Sequence, residues 1–140
     1  LDAVPMKDTD FLLDVGCGDG RVLREAVRRY GVRCLGFEIN PVAYLMARAL
    51  CIGSGHIRVR WGNFWKADLR EADVVFCYLF PDVMARLADK LASELRPGAR
   101  VVSCNFPLPG WQPAAVLHAP STLHNDPIYV YRVPGSAVTG

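Results

Sequence analysis

The sequence is poor in the residues that hold metal ions. It contains only three histidines, which are scattered, and its five cysteines form no Cys-x-x-Cys pair. A metal site needs several such ligands at close spacing, so we do not expect one. The cysteine count is odd, and several cysteines fall within predicted strands. This pattern is typical of small buried side chains in a reducing compartment, and it predicts a cytoplasmic protein.

Long apolar runs and a strong charge of one sign are also missing. No apolar stretch approaches the length of a membrane span, and no signal peptide is visible. The formal net charge is only +2, which is too weak to indicate a nucleic-acid partner. The 140 residues are 51% hydrophobic and 21% charged, as in a globular protein. We expect residues 1–140 to form one domain, and the short stretch before the first predicted strand suggests that upstream sequence is missing.

Predicted strands and helices alternate along most of the chain. Such alternation predicts a parallel sheet with right-handed crossovers. Two final strands, at residues 115–118 and 128–131, follow connections of about nine residues, which are too short for helices and favour antiparallel pairing. The predicted fold is therefore α/β, with a Rossmann-like doubly wound sheet of strand order 3-2-1-4-5-7-6. This sheet is mostly parallel, with an antiparallel strand pair at its C-terminal end.

An acidic residue and three glycines at alternate positions follow the first predicted strand. In Asp14-x-Gly16-x-Gly18-x-Gly20, the glycines allow positive φ angles and let a ligand lie against bare backbone. Dinucleotide sites use Gly-x-Gly-x-x-Gly, whereas here Arg21 stands where the last glycine is required. Asp14 would repel a pyrophosphate and suits a ligand with a positively charged end. The turn therefore predicts a cofactor site at the start of the first helix, with free N–H groups directed at the ligand.

Polar and aromatic side chains follow the other predicted strands at the same edge of the sheet. Glu38 ends the second strand, where a carboxylate can accept both hydroxyls of a ribose. After the third strand, the amide of Asn63 could bond the edge of an adenine ring, and Phe64 could stack on that ring or pack in the core. Beyond strands four and five we expect an apolar, aromatic collar, with Trp111 either contacting substrate or anchoring its loop. The predicted acceptor-side residues are Tyr78, Phe80, Asn105 and Trp111.

These motifs resemble the class I, seven-strand methyltransferases that use S-adenosylmethionine. Their order is most similar to the small protein lysine methyltransferases of archaea and their mitochondrial relatives, over residues 11–131. The resemblance implies S-adenosylmethionine as methyl donor and the ε-amines of protein lysines as acceptors. A protein substrate with accessible lysines is thus the expected partner. The implied cofactor contacts are Asp14, Gly16, Cys17, Gly18, Glu38, Ile39, Asn63 and Phe64.

On the acceptor side, Tyr78 and Phe80 fall where this family lines its acceptor channel. The surrounding segment Cys77–Pro81 departs from the family's pattern, and this sequence does not include the segment that usually precedes the first strand. Nucleic-acid and glutamine methyltransferases usually carry Asn/Asp-Pro-Pro-aromatic after strand four, and Leu79-Phe80-Pro81 differs from that motif. A small-molecule N-methyltransferase and a non-catalytic cofactor-binding module remain open alternatives. The sequence does not predict an oligomeric state.

Overall fold

The structure is a computed structural model that describes residues 4–118 and 127–134. Strands and helices alternate as the sequence predicts, and the last two strands end within one residue of their predicted bounds. The chain divides into two compact units, Leu1–Ala67 and Asp68–Gly140. In chain order the elements are β1 (Phe11–Asp14), α1 (Arg21–Tyr30), β2 (Arg33–Glu38), α2 (Pro41–Leu50), β3 (Ile57–Trp61), β4 (Val74–Cys77), α3 (Pro81–Glu94), β5 (Arg100–Cys104), β6 (Ala115–His118) and β7 (Pro127–Arg132).

The strand pairing confirms the predicted fold class. Within the described ranges, seven strands form a sheet in the order β3-β2-β1-β4-β5-β7-β6. β2 pairs in parallel with both β1 and β3, and β4 pairs in parallel with β5. β7 pairs antiparallel with both β5 and β6. The antiparallel pairing of the last strands follows from their short connections. A parallel strand would need a crossover long enough to bring the chain back to the end at which the preceding strand began.

The core of the first unit is formed by β1, β2 and α1. Leu12 and Leu13 of β1 are almost completely buried, as expected for a strand that is covered on both faces. α1 buries Leu23 and Ala26 and turns its charged residues to solvent. This packing fixes the end of β1, and with it the start of the glycine turn.

In the second unit, α3 holds the segment that leads into β4. Glu94, at the end of α3, accepts the N–H of Leu69 at 2.9 Å and pairs with Lys90 at 2.7 Å. Both charged side chains are largely buried, so the pair is protected from the screening that weakens exposed ion pairs. α3 also buries Met84, Leu87, Ala88 and Leu91. These contacts fix α3, and therefore the place of the short segment that joins β4 to the first residue of α3.

Gly36 of β2 has no room for a side chain. A Cβ at this position would lie 2.7 Å from Cδ1 of Leu23 and 2.8 Å from both Cβ and Sγ of Cys17. We expect Gly36→Ala to lower the free energy of unfolding by about 1–3 kcal/mol, the usual cost of overpacking. Urea denaturation measures this change. Gly55→Ala is the control, because a Cβ there meets nothing within 4 Å, and equal losses in the two variants would contradict the prediction.

Candidate functional site

The carboxylate of Glu38 joins the glycine turn to the end of β2. Its Oε1 accepts the N–H of Gly18 at 2.8 Å, and its Oε2 accepts the N–H of Asn40 at 2.9 Å. An ionised carboxylate offers about four lone-pair sites, so each oxygen keeps capacity for another donor. Glu38 is only partly buried, which leaves these sites accessible. The arrangement suits two neighbouring hydroxyl groups, such as those of a ribose.

The N–H groups around the turn are largely engaged within the protein. Cys17 donates to the carbonyl of Phe37 at 3.0 Å, and Gly18 donates to Glu38. The N–H of Arg21, the first residue of α1, donates to Oδ1 of Asp19 at 3.1 Å. The prediction of free N–H groups at the start of this helix is therefore wrong for Arg21. The accessible carboxylate oxygens of Glu38, more than backbone donors, characterise this side of the turn.

Two glycines of the turn adopt backbone angles that other residues rarely reach. Gly18 has φ +56° and Gly20 has φ +83°. Gly20 is the N-cap of α1, so the helix begins at Arg21. A Cβ on Gly18 would meet nothing within 4 Å, which shows open space in front of the turn. A ligand can therefore approach the backbone there, as the glycine pattern predicted.

Asp14 lies at the end of β1 and is 1% exposed. Its Oδ1 accepts the N–H of Gly16 at 3.2 Å. Burial raises the pKa of Asp14 from 3.8 to about 7, the bond from Gly16 opposes this rise, and the negative charge of Glu38 adds to it. A nearby positive charge would restore the ionised form. Asp14 therefore suits a ligand that carries an ammonium or sulfonium group.

Trp61, at the end of β3, holds the segment that follows Glu38. Its Nε1 donates to the carbonyl of Ile39 at 3.0 Å, and the N–H of Gly62 donates to the carbonyl of Glu38 at 2.8 Å. These bonds fix the backbone on which both predicted cofactor contacts stand. The side chain of Ile39 is 67% exposed and can touch a ligand. Sequence reasoning missed Trp61, although its place at a strand end, two residues before Asn63, could have indicated it.

Asn63 and Phe64 follow β3, as predicted, but their environments differ. Asn63 is exposed, and its Oδ1 accepts the N–H of Trp65 at 3.2 Å, which leaves the side-chain amide hydrogens for a ligand. Phe64 is 4% exposed, and its ring centroid lies 4.3 Å from that of Trp65. This burial favours core packing of Phe64. Contact of either residue with an adenine ring stays a prediction.

Two of the predicted acceptor-side residues directly follow β4 in the second unit. Tyr78 is 54% exposed and Phe80 is 76% exposed. Phe80 is the N-cap of α3 and precedes Pro81, whose fixed φ suits the first helical position. Exposed rings at a strand end are accessible to an acceptor side chain. Their role in positioning an acceptor stays a prediction.

The other two predicted acceptor-side residues, Asn105 and Trp111, lie in the loop after β5. Asn105 has φ +77°, and its N–H donates to the carbonyl of Pro127 at 2.8 Å. Trp111 packs edge-to-face on the buried ring of Tyr131, with ring centroids 5.8 Å apart. The hydroxyl of Tyr131 accepts the N–H of Leu108 at 2.8 Å. These contacts favour Trp111 as an anchor of its loop, and a substrate contact by Asn105 or Trp111 stays a prediction.

The cysteines and acids do not form a metal centre in the described part of the chain. Within residues 4–118 and 127–134, no three His, Cys, Asp or Glu side chains are grouped as metal ligands. All five cysteines are free, and burial raises the pKa of Cys17 and Cys34 to about 12. Protonated thiols are poor ligands and poor nucleophiles. Among the same residues, no helix combines the length and apolar character needed to cross a membrane.

Comparison with known proteins shows which family the chain belongs to. The sequence model of the ANTKMT methyltransferase domain matches residues 14–115. A protein-lysine N-methyltransferase of Saccharolobus islandicus is 35% identical, over 94% of this chain and 84% of that protein. The chain belongs to the ANTKMT methyltransferase family. It is therefore an S-adenosylmethionine-dependent methyltransferase, as the family resemblance implied.

Two further relatives of this methyltransferase differ in length and in name. The adenine nucleotide translocase lysine N-methyltransferase of Mus musculus is 41% identical, and the match covers 91% of this chain but only 56% of the mouse protein. A crystal structure described as an RNA methyltransferase from Salinibacter ruber, in complex with S-adenosyl-L-homocysteine, superposes with a TM-score of 0.89. It is 34% identical, over 100% of this chain and 91% of that chain. These two similar proteins are named for different acceptors.

The residues of the turn fit S-adenosylmethionine. Open space at Gly18 can admit the cofactor, and the free lone pairs of Glu38 match the two hydroxyls of its ribose. The buried carboxyl of Asp14 complements a positively charged group. A cofactor with a ribose and a sulfonium satisfies all three features, whereas a pyrophosphate would add negative charge beside two acids.

Proposed function

We propose that this chain transfers the methyl group of S-adenosylmethionine to the ε-amine of lysine side chains in a protein. The observation that carries the proposal is the archaeal relative, because this chain spans 84% of a protein named protein-lysine N-methyltransferase. The mouse relative is also named as a lysine N-methyltransferase, which supports the same acceptor group. The chain spans only about half of that longer protein, so its particular acceptor is not transferred to this chain.

In this proposal the first unit binds and orients the cofactor. Glu38 binds the ribose hydroxyls, and Asp14 stabilises the positively charged end. The remaining proposed contacts are Gly16, Cys17, Gly18, Ile39, Asn63 and Phe64. When bound, the cofactor supplies a methyl group that its sulfonium has already activated. A fixed orientation allows an amine to approach in line, and such alignment is worth roughly 7–11 kcal/mol.

The acceptor amine must arrive without its proton and partly stripped of water. We propose that Tyr78 and Phe80 exclude water from this amine, because both rings are exposed at the start of α3. Aromatic faces also attract the ammonium form of a lysine before and after reaction. Asn105 and Trp111 are proposed as further substrate contacts. An amine that has lost its proton needs no dedicated base from the protein.

Tyr78→Ala should slow methyl transfer without weakening cofactor binding. Loss of the ring removes a cation–π contact and a water-excluding surface, and we expect kcat/KM for a protein acceptor to fall about tenfold. The Kd for S-adenosylmethionine should stay within about threefold of the wild-type value. Tyr78→Phe keeps the ring and is the matched control. Collapse of cofactor binding in Tyr78→Ala would instead place Tyr78 among the cofactor contacts or in the core.

A second acceptor class is favoured by one observation, the Salinibacter protein described as an RNA methyltransferase. One competition assay separates the classes. The chain is incubated with tritium-labelled cofactor and an equal mixture of a lysine-rich protein, RNA and small amines, which are then separated and counted. We expect label in the protein, and its loss when the lysines are acetylated chemically beforehand, because an amide nitrogen is not a nucleophile. Label confined to RNA or to small amines would contradict lysine methylation.

We also propose that residues 1–140 function as one methyltransferase domain and that the protein is cytoplasmic. The family match extends over residues 14–115 and therefore includes parts of both compact units, which supports a single functional domain. The five free thiols support a reducing compartment. Limited proteolysis with and without cofactor tests the first point, since one functional domain should gain protection in both units together.

A further inference from the structure

The outward face of α2 is apolar along its whole length. Ala47 is the one buried residue of α2, and Cys51 in the turn that follows is also buried. By the helical period, the opposite side carries apolar residues where a sheet-covering helix normally presents polar ones. α1 shows the usual pattern, with charged residues toward solvent. The α2 surface, as we name it, consists of residues that are 48–84% exposed: Val42, Leu45, Met46, Leu50 and Ile52.

The α2 surface lies in a stretch of sequence that has no acidic residue. Between Glu38 and Asp68 there are four basic residues and no Asp or Glu, although the whole chain contains 14 acidic residues. Three exposed arginines of this stretch line a groove of about 540 Å³ beside the turn after α2 and the edge strand β3. They are Arg48, Arg58 and Arg60.

These arginines keep their positive charge unpaired by acids. In the described ranges, none of the ion pairs involves Arg48, Arg58 or Arg60. Arg48 donates to the hydroxyl of Tyr44 rather than to a carboxylate. An exposed apolar helix face therefore stands beside an uncompensated positive groove. Interfacial helices that bind anionic membranes combine these two features.

We propose that the α2 surface docks on an anionic lipid bilayer. The apolar side chains enter the boundary between headgroups and acyl chains, which removes them from water. The arginines of the groove bind the headgroup phosphates, since basic residues near an anionic leaflet strengthen binding. Charge complementarity selects this partner, because the charged side chains that line the adjoining groove, Arg48, Arg58 and Arg60, are all positive.

Other occupants match these features less well. A two-fold contact between copies of the chain would place the same patch on itself. Arg48, Arg58 and Arg60 would then approach their own counterparts with no carboxylate to neutralise them. RNA would pair with the arginines, but single-stranded RNA is held by stacking on aromatic rings, whereas the α2 surface consists of non-aromatic apolar side chains.

Vesicle flotation tests the proposal on the full chain. The chain is mixed with vesicles of phosphatidylcholine alone or of phosphatidylcholine with phosphatidylserine, and the floated fraction is measured at low and high salt. We expect binding to the phosphatidylserine vesicles, with weaker binding at high salt because ions screen the arginines. We expect Leu45→Glu to lower the partition coefficient at least about tenfold, since it removes one apolar side chain from the boundary of the bilayer and adds a charge that anionic lipids repel. Arg58→Glu combined with Arg60→Glu should lower it by a similar factor.

Matched variants decide the outcome. Arg70→Glu combined with Arg132→Glu makes the same charge change at two exposed arginines outside the acid-free stretch, and it should change the partition coefficient less than about threefold. Leu45, Arg58 and Arg60 are all exposed, so circular dichroism should show unchanged folding in these variants. Failure of the wild-type chain to float, or equal losses in the groove and control variants, would overturn the proposal. Self-association or RNA binding that Leu45→Glu abolishes, without vesicle binding, would overturn it in favour of those partners.

Discussion

At pH 8, Asp14→Asn should unfold at a higher urea concentration than the wild-type protein. Burial holds the pKa of Asp14 at about 7 in the folded chain, against an ordinary value of 3.8. Between these two pH values the folded state binds more protons than the unfolded state, so stability falls as pH rises. Above pH 7 the full difference between the folded and unfolded pKa values lowers the free energy of unfolding by about 4 kcal/mol. Asparagine carries no charge, and we expect it to recover about 2–4 kcal/mol of this penalty.

The pH dependence makes this expectation specific. The gain in unfolding free energy should be absent below about pH 3, where the carboxyl is protonated in both states, and should grow between pH 4 and pH 7. Asp8→Asn removes one exposed carboxylate and controls for the loss of a negative charge. A gain that is independent of pH, or a loss of stability at pH 8, would show that Asp14 is not the destabilising group.

The same substitution should weaken cofactor binding. An amide cannot balance the positive end of S-adenosylmethionine, so we expect the Kd of Asp14→Asn to rise about tenfold at pH 8. Wild-type affinity should increase between pH 6 and pH 8 as Asp14 ionises, and the variant should lack this increase. Functional sites often contain buried acids that lower the stability of the protein and strengthen ligand binding.

Glu38→Ala should weaken binding of S-adenosylmethionine about hundredfold. The substitution removes two bonds from ribose hydroxyls to a charged group, each worth roughly 1.5–3 kcal/mol, and part of this loss is offset by water. It also leaves the N–H groups of Gly18 and Asn40 without their acceptor, which loosens the turn. Calorimetric titration measures the affinity.

Two further variants isolate the role of this carboxylate. Glu71→Ala removes an exposed acid of the second unit and should bind cofactor like the wild type. Glu38→Gln keeps the side-chain length but offers one carbonyl oxygen in place of two carboxylate oxygens, so its affinity should lie between the other two. Wild-type affinity in Glu38→Ala would mean that the ribose lies elsewhere.

The sequence predicts the fold because local signals agree along the chain. Asn40 followed by Pro41 predicts the start of α2, and both N–H groups bonded by the Asn40 side chain confirm it. The position of Glu38 follows in the same way, because it ends a strand beside the first one. Its bond to Gly18 spans twenty residues of sequence, and no local pattern encodes such a contact.

Burial is the property that the sequence could not supply. The sequence of an acid before a glycine turn is the same whether the acid is exposed or buried. The burial of Asp14, which is 1% exposed, and its raised pKa could therefore not be predicted. For Phe64 and Trp111 the sequence left two roles open, since an aromatic ring serves equally in a core and at a ligand. Trp111 packs against Tyr131, which only the fold brings near it, and the burial of Phe64 likewise depends on the fold.

The most direct test of lysine methylation is mass spectrometry of the acceptor. A lysine-rich protein is incubated with the chain and a cofactor that carries a deuterated methyl group, and its peptides are then fragmented to locate the label. We predict deuterated methyl groups on lysine side chains with the wild-type chain, and far fewer with Glu38→Ala at the same cofactor concentration. Deuterated methyl groups on other side chains, or in added RNA or small amines, with none on lysine, would contradict the proposed function.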